Sequence, residues 1–514
     1  MAAPQSYDNI QQVPCVVPFT SRDAGPTSDA YMKNCYVEST GEAAYAVKRN
    51  GLQATVNIGA LVSSGPGFPN KKGQGILGSD QGGYLTFVMD DTVGFLSLTN
   101  VMTSVAIPSG SIVTPLCPFR MIPYNFGLAP IDSIIQAEAL FYVTPFFTGA
   151  CNLLVTSALS GYLVPSLCEL NQTYYLMTSF GRIYSTADIN TWTALAYIAL
   201  DSILGQPLCL VRHLSYLIAF CSKGAVAYYD AGISPGSPLA PVQNAVWLEG
   251  MAVDGAQTIA TTIEDELFWV GAGQSTGYTV SMMSGLTITT VSSEAVNRVL
   301  EKYMPLVATA NGASISGYQR TVYPRGLAFK SGGHSFYVLT FPAFTSGGTA
   351  VPGISMAYDI AKKHWSIWSQ QYPSGTELEW LPWFVTARPG FNSAVFIDRT
   401  TGFLTALSET IYQDLGNPIK MQIQTELFNW GNQRTKMIPA TYLQADTMTS
   451  NVTVQWSDDD YNTYNTGQVV ATDNPKKQMI RCGSTTQRGW MLTHTDNTPM
   501  RLYGLEVEVV PGAL

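Results

Sequence analysis

The sequence is poor in charge and in the residues that build metal or acid–base sites. Asp, Glu, Lys and Arg together make up 12% of its 514 residues, about half of the share that typical soluble domains carry. Two explanations stay open: partner subunits cover much of the surface, or Ser, Thr and Asn fill it. The four histidines form neither H-x-x-x-H nor H-E-x-x-H, which argues against a helical zinc site; they stand at 213, 334, 364 and 494.

Three further absences narrow the class of protein. Basic residues occur as doublets such as Lys362-Lys363 and the net charge is −9, so binding to a phosphate backbone is not the expected main activity. The eight cysteines include no Cys-x-x-Cys pair, which argues against a zinc ribbon. We predict that they behave as small buried hydrophobic side chains. The simplest interpretation is that the protein is synthesised in a reducing compartment. No apolar run reaches the ~18 residues that span a bilayer, and the N-terminus lacks the layout of a signal peptide. We therefore expect a soluble chain without a membrane anchor.

A recurring unit is the main positive signal: an aromatic-rich strand, a tight polar turn and a second apolar strand. Clear examples are 84–88 into 94–98, 216–220 into 225–229, and 267–270 into 277–280. Units recur roughly every 40–70 residues, near the spacing of repeated β-blades. Because one hairpin cannot bury its own face, such units must stack, and the radial arrangement is a β-propeller. We predict a mostly β protein with a propeller of six to eight blades over residues 56–414.

One stretch, 292–303, breaks the β pattern. Ser292 or Ser293 is suited to cap a helix, with Glu294 early and Lys302 late, as the helix dipole prefers. The predicted apolar face consists of Val296, Val299, Leu300 and Tyr303. We predict a short helix between blades. Packing inside the protein is the favoured role, and presentation to a partner is the alternative.

The two ends of the chain differ from the middle. Residues 1–55 have irregular patterning, and we call them the arm. Apolar and polar residues alternate from 421, from 452 and from 505, which indicates half-buried antiparallel strands. We predict a C-terminal β-sandwich over 415–514, called the platform, joined by the arm.

Two motifs match chemical signatures in letters but not in context. Residues 73–78 read G-x-G-x-x-G, yet a loop precedes them and a strand follows, whereas a dinucleotide site needs a strand and then a helix. Residues 273–277 read G-x-S-x-G, yet a strand follows where a nucleophile elbow needs a helix. We predict a Gly-rich entry into the first blade and a polar hairpin turn, respectively. Composition alone leaves a Ser-His-Asp triad open, and we expect His364 to be a hydrogen-bonded sheet residue.

The acidic run Asp458-Asp459-Asp460 is the sharpest local signal. Three carboxylates in a turn could bind a hard cation, but Asp side chains bonded to the backbone of a tight turn explain the run as well. We favour the turn. The run and residues 185–192 also partly match the Asp-box of sialidase-like propellers. That family uses a Tyr nucleophile and clustered arginines, whereas the arginines here are spread along the chain: Arg182, Arg212, Arg298, Arg320 and Arg325.

Several segments resemble the tail-hub proteins of short-tailed bacteriophages, also called packaged-DNA stabilisation proteins. Residues 29–38 and 47–52 are similar to their opening strand and turn, with Val37 and Asn50 where that family has proline. The middle segments that resemble the family are 265–271, 285–288, 291–296 and 356–365. The C-terminal segments are 426–429, 452–459 and 488–490.

The resemblance implies a virion structural protein of the tail, made in the bacterial host cytoplasm. Such a protein forms a ring, usually a homohexamer, that extends the DNA channel below the portal and its adaptor. It makes the head-to-tail connection, retains packaged DNA until ejection and docks a tail needle or fibre protein. Six copies would carry a formal charge of 6 × (−9) = −54, and an acidic channel wall lets DNA slide without specific binding.

We therefore predict a protein that is not an enzyme, with no catalytic, cofactor-binding or metal-binding residues. The alternative from a different class is a glycan-active or glycan-binding propeller, and an enzyme of that class would gather arginines, a tyrosine and paired carboxylates at one end of a blade. A WD- or kelch-type scaffold ranks last, because neither signature repeats.

Overall fold

The computed structural model describes most of the chain and is built almost entirely of strands. The residues that it describes are 10–20, 22, 29–41, 43–57, 72–79, 84–90, 92–97, 101–107, 120–124, 132–136, 140–144, 150–154, 156–232, 237–248, 250–252, 258–261, 266–273, 277–312, 322–372, 374–387, 394–474 and 476–511.

Seven antiparallel sheets follow one another along the described part of the chain, and we call them blades 1 to 7. Blade 1 consists of Gly73–Ser79, Tyr84–Met89, Thr92–Ser97 and Met102–Ala106. Blade 2 consists of Arg120–Tyr124, Asp132–Gln136, Leu140–Thr144 and Ala150–Leu153. Blade 3 consists of Cys168–Leu170, Thr173–Met177, Arg182–Thr186 and Tyr197–Ala199. Blade 4 consists of Pro207–His213, Tyr216–Cys221, Ala225–Asp230 and Leu239–Trp247.

The remaining blades carry small variations on the four-stranded plan. Blade 5 has a first strand in two pieces and consists of Gly250–Met251, Ala260–Thr261, Leu267–Gly273, Gly277–Ser284 and Thr287–Thr290. Blade 6 consists of Arg325–Ser331, His334–Phe341, Ile354–Asp359 and His364–Gln371, with Glu377–Glu379 at its outer edge. Blade 7 consists of Pro382–Ala387, Ala394–Asp398, Phe403–Ser408 and Gly51–Asn57.

Blade 7 closes the propeller, because its strands come from both ends of the propeller sequence. Phe403–Ser408 pairs with Gly51–Asn57, so the last strand of the last blade comes from before the first blade. The first strand of blade 1 contacts the first strands of blades 2 and 7, and similar contacts join the later blades. The structure confirms the predicted β-propeller, with a blade number inside the predicted range. The predicted boundary between residues 55 and 56 falls within the closing strand.

Glycine lets neighbouring blades approach closely at two first strands. A Cβ at Gly326 in blade 6 would lie 2.0 Å from the carbonyl oxygen of Thr258, beside blade 5. A Cβ at Gly73 in blade 1 would lie 2.4 Å from the carbonyl oxygen of Asp398 in blade 7. Neither position has room for a Cβ, so only glycine fits there. This explains why two glycines occur inside strands.

The predicted helix is present and is longer than predicted. It spans Glu294–Asn311, and the Ser293 side chain accepts a hydrogen bond from the backbone N–H of Val296. The predicted apolar face is buried against the strands Gly277–Ser284 and Phe344–Ser346. The helix therefore packs inside the protein. A single turn of 3-10 helix, Ser202–Leu204, links blades 3 and 4.

The platform is a sandwich whose sheets include strands from the arm. One sheet contains Cys35–Thr40, Ala43–Lys48, Arg501–Glu508, Ala440–Ala445 and Gln478–Ile480, with Ile10–Pro14 also paired to Arg501–Glu508. The other contains Tyr31–Lys33, Met421–Gln424, Gly489–His494, Asn451–Ser457 and Gln468–Ala471. Shorter ladders join Lys436–Met437 to Ser484–Thr485 and Val510–Pro511, Gln413–Asp414 to Asn417–Pro418, and Phe344–Ser346 to Thr349–Val351.

The alternating platform strands are half-buried where they were predicted to be, with one exception. Asn451–Ser457 and Arg501–Glu508 alternate between buried and more exposed positions. All four residues of Met421–Gln424 are buried. The prediction of a half-buried strand was wrong there, because the arm strand Tyr31–Lys33 and the strand Gly489–His494 flank it and polar partners cover its glutamines.

The arm strand Tyr31–Lys33 connects the platform to the propeller. It is antiparallel to Met421–Gln424 on one side and parallel to His364–Gln371 of blade 6 on the other. Blade 6 and one platform sheet therefore form a single ten-stranded sheet. Three residues of the arm complete the hydrogen-bonded path between the two regions.

Candidate functional site at the junction of arm, propeller and platform

A buried ion pair lies where the arm meets the end of blade 7. The side chains of Arg49 and Asp414 are 1% and 0% exposed. Arg49 Nη1 donates to Asp414 Oδ1 at 3.0 Å and Nη2 donates to Oδ2, which gives a two-pronged pair. Asp414 Oδ1 also accepts from the backbone N–H of Leu52 at 3.0 Å, at the start of the closing strand. Because both charges are buried away from water, removing either partner would leave the other as an uncompensated buried charge.

Asn34 joins the arm, blade 6 and the platform through one side chain. Its Oδ1 accepts from Arg49 Nε at 3.0 Å and from the backbone N–H of Ser369 at 2.9 Å. Its Nδ2 donates to Ser369 Oγ at 2.8 Å and to the carbonyl oxygen of Lys420 at 3.0 Å. The residue has a φ of 55°, a conformation that asparagine tolerates better than most residues. All four hydrogen-bonding positions of the amide are used.

A second ion pair lies beside this asparagine. Lys33 pairs with Glu377, and Ser369 Oγ donates to Glu377 Oε1 at 2.6 Å. Burial lowers the pKa of Lys33, although Glu377 opposes that effect. Burial also tends to raise the pKa of Glu377, but the charge of Lys33 and the hydrogen bonds outweigh it, so this pKa lies below its usual value. The two shifts have different net causes: burial dominates at Lys33, and the charge and hydrogen bonds of its partners dominate at Glu377.

A small polar cavity of about 120 Å³ opens at the same place. Hydrogen-bonding side chains surround it, together with one glycine: Asn34, Ser369, Gln371, Gly375, Glu377 and Lys420.

The arm also meets the platform through a buried lysine. Lys48 Nζ donates to the carbonyl oxygen of Asp496 at 2.6 Å and lies 3.3 Å from His494 Nδ1. His494 Nε2 lies 2.8 Å from Ser450 Oγ, which donates to Asp496 Oδ2 at 2.8 Å. Burial, followed by the nearby charge of Arg49, lowers the pKa of Lys48 to about 7. Burial and the charge of Lys48 lower the pKa of His494 to about 3.

Two other histidines contact the arm from blade 6. His334 Nδ1 lies 2.8 Å from Asp359 Oδ2, and its ring packs 4.7 Å from that of Tyr36. His364 Nε2 lies 2.8 Å from the carbonyl oxygen of Val17, and burial lowers its pKa. His364 is the hydrogen-bonded sheet residue that the sequence predicted.

The acidic run at 458–460 forms a turn with protein partners. Asp458 makes a two-pronged pair with the buried Arg488, at 2.7 and 2.8 Å. Asp459 accepts from Ser457 Oγ at 2.8 Å and from the backbone N–H of Thr463 at 2.9 Å, and the hydrogen bonds from Thr463 and Ser457 lower its pKa to about 2.

The third acid of the run reaches the arm. Asp460 pairs with Arg22 Nη1 at 2.5 Å. Asp459 thus makes the predicted side-chain bond to the backbone of the turn, whereas Asp458 and Asp460 pair with arginines outside it. Within the described residues, no group of three or more His, Cys, Asp or Glu side chains is arranged to hold a metal ion.

The described arginines that a sialidase-like site would gather each have a different partner. Arg182 lies over the ring of Tyr197, Arg212 pairs with Glu169, and Arg298 pairs with Glu294 on the helix. Arg325 donates to the carbonyl oxygen of Trp383 at 2.9 Å. Arg320 lies outside the described residues.

The two Gly-rich motifs lie in strands and a hairpin. Residues 73–78 were predicted to lead into the first blade, and they fall within its first strand. Gly273 and Gly277 are Cα partners at the end of a hairpin in blade 5, which confirms a hairpin in place of an elbow. Ser275 lies outside the described residues. The seven described cysteines are free, and all but the half-buried Cys151 are buried, as expected.

Comparison with known proteins adds distant similarities of fold. No protein-family model matches the chain, and no curated protein matches it. Among solved structures, YCF48 from Cyanidioschyzon merolae is 11% identical with a TM-score of 0.41, covering 70% of this chain and 98% of its own. The Pan2 WD40 domain of Neurospora crassa is 9% identical with a TM-score of 0.39, covering 70% and 94%.

A third similar structure is BamB from Moraxella catarrhalis, which is 12% identical with a TM-score of 0.34 and covers 72% of this chain and 92% of its own. These similarities are too distant to indicate a function. The propeller assignment rests on the strand pairing of the chain itself.

The helix at 294–311 does not qualify as a membrane span, and no other described helix does.

Proposed function

We propose that this chain is a structural subunit of a bacteriophage tail, a hub or nozzle ring that continues the DNA channel below the portal and adaptor. The observation that carries the proposal is the arm strand Tyr31–Lys33, which joins blade 6 and the platform in one sheet. A connector must transmit load without internal hinges. A continuous hydrogen-bonded sheet, locked by the buried Arg49–Asp414 pair, suits that task.

The resemblance of three regions, in the same order along the chain, supports the identity of the assembly. Two of those regions, the arm and the C-terminal segments, are the parts that build the platform. In this proposal the ring, a homohexamer, assembles through the platform. The portal adaptor binds above it and a needle or fibre protein docks below.

The charge of the chain supports passage of DNA without gripping it. With a net charge of −9 per copy, a ring repels the phosphate backbone on average, so packaged DNA can move through it at ejection. The ion pairs of the junction are satisfied within the protein, which favours a mechanical role for them over a catalytic one.

Mass photometry of the purified chain, alone and with a candidate portal adaptor, tests the proposal. We expect a ring several times the 55.7 kDa of one copy, and binding of the adaptor to that ring. A chain that stays single in both samples would contradict it. Turnover of sialyl and aryl glycosides tests the competing enzyme class, because hydrolysis that disappears with one carboxylate substitution would favour a glycosidase.

A further inference from the structure

Among the described residues, the platform has two edge strands without a further neighbour, at opposite ends of one row of strands. Gln11 is the Cα partner of Val507, Val507 of Thr441, and Thr441 of Met479. With neighbouring strands ~4.8 Å apart, this row is about 14 Å wide. In the described part of the chain, Ile10–Pro14 pairs with one strand only, and so does Gln478–Ile480.

We call Ile10–Pro14 the first edge. The second edge consists of Gln478–Ile480 and the neighbouring terminal strand of the other platform sheet, Gln468–Ala471. The two strands of the second edge are linked, because Gln468 Nε2 donates to the carbonyl oxygen of Ile480 at 3.0 Å.

The strands of both edges carry no charged residue and expose apolar side chains beside their glutamines, which is unusual for strands at an edge. The first edge reads IQQVP, and the strands of the second edge read QVVA and QMI. Ile10, Val469 and Ile480 are 49%, 68% and 55% exposed. Soluble proteins normally blunt open edges with charged side chains, because an uncharged edge invites pairing with another chain. Proline also blunts edges, and Pro14 ends the first edge. The edges therefore point to a covering partner.

The charges beside the two edges are opposite. Glu508 and Glu506 are the Cα partners of Ile10 and Gln12, which gives the first edge a flanking charge of −2. The segment 472–481 beside the second edge carries Lys476, Lys477 and Arg481 against Asp473, which gives 3 − 1 = +2. Opposite charges across an interface attract the partners and fix their orientation.

We propose that the first edge of one copy docks against the second edge of the next copy, so that this chain associates head to tail with itself. Two different surfaces on one molecule define a heterologous contact, which generates a ring where the rotation closes. This inference rests on the proposed function, which supplies the expectation that the copies close into a ring. The partner at each edge is a second copy of this chain, because each edge supplies the apolar surface and charge that the other needs.

Cross-linking of two single variants tests which edges meet. Ile10→Cys and Ile480→Cys are purified separately, mixed and treated with a short bis-maleimide. We expect linked dimers in the mixture and little linkage in either variant alone. Val101→Cys, at a position 55% exposed in blade 1, replaces Ile10→Cys in the control mixture and should remain unlinked. Rings that form without linking Ile10→Cys to Ile480→Cys would overturn the inference.

Lysine substitutions provide a second, independent readout. Ile10→Lys or Val469→Lys should convert rings to single copies of 55.7 kDa with an unchanged circular dichroism spectrum, whereas Val101→Lys should keep the ring. Rings that persist in both edge variants would overturn the edge assignment and leave the proposed function standing. A wild-type chain that stays single would overturn the proposed function and the inference together.

Discussion

Arg49 and Asp414 lie 365 positions apart in the sequence and form an almost fully buried, two-pronged ion pair. Arg49 also donates to the carbonyl oxygen of Ser369 in blade 6 at 2.7 Å, and Asp414 holds the start of the closing strand. One pair therefore secures the arm, blade 6 and the closure of blade 7.

Removing one partner of this pair should be costly. We expect Asp414→Asn to lower the free energy of unfolding by about 3–5 kcal/mol, because it leaves the guanidinium of Arg49 buried without a counter-charge. Urea denaturation of both proteins measures the loss. Glu169→Gln, in the more exposed pair with Arg212, is the matched control and should cost less than about 1 kcal/mol. Equal losses in the two variants would contradict the account.

The asparagine at the junction can be tested apart from its backbone conformation. Asn34→Gly keeps a residue that accepts a φ of 55° but removes four hydrogen bonds, and we expect a loss of roughly 1–3 kcal/mol or more. Asn171→Gly is the control, because Asn171 has a φ of 52° and makes one exposed side-chain bond, to Asp230. Thermal unfolding of both variants should show a clear loss for the first and a small change for the second.

Lys48 should make stability depend on pH above neutrality. Its pKa is about 7 in the folded chain, against an ordinary value of 10.5. Between these values the unfolded chain binds a proton that the folded chain does not, so the free energy of unfolding rises with pH, by at most about 1.4 kcal/mol per pH unit. Burial is the main cause of the lowered pKa of Lys48. The charged or titratable groups that face the amine are Arg49, Asp496, Asp414 and His494.

The clearest window lies between about pH 7 and 7.5, where thiols of the unfolded chain, with an ordinary pKa of about 8.5, are still mostly protonated. In this window Lys48→Met should flatten the rise, whereas Lys302→Met, at an exposed helix position, should retain it. His494, with a pKa of about 3 against 6.5, adds a similar rise between those two values, so its stabilisation is lost as the pH falls. A Lys48→Met variant with the wild-type slope would contradict the assignment.

The closing strand decides where the arm can be cut. Removal of residues 1–57 takes away Gly51–Asn57 and leaves blade 7 with three strands, whereas removal of residues 1–50 keeps all four. We expect the shorter deletion to retain a folded propeller and the longer one to lose cooperative unfolding. Circular dichroism and proteolysis compare them. If both fold equally well, the strand is not needed for closure.

Local sequence patterns were sufficient to predict the hairpins, the helix and the alternating platform strands. In 216–221 and 225–230, aromatic and apolar residues flank a tight turn, so the pairing is local and visible in sequence. The helix was predicted over 292–303, but it continues to Asn311 with Pro305 inside it. The fully buried strand 421–424 was misread, since its glutamines find partners from the arm.

The junction could not be predicted from the sequence, because its contacts join residues hundreds of positions apart. Tyr31–Lys33 is too short to show a period, and the closing strand Gly51–Asn57 depends on blade 7 for its pairing. Arg49 and Asp414 look like ordinary surface charges until the fold buries them together. One signal in the sequence did mark this region. Residues 47–52, which include Arg49, belong to a segment that resembles the tail-hub family, although the sequence did not show what Arg49 contacts.

The central claim is that this chain assembles into a ring through its platform, and the mass of the purified chain tests it most directly. For the proposed hexamer, mass photometry should show one main species near ~334 kDa, six times the 55.7 kDa of a single copy, which Val469→Lys reduces to single copies. A wild-type chain found only at 55.7 kDa, both alone and with a portal adaptor, would contradict the account.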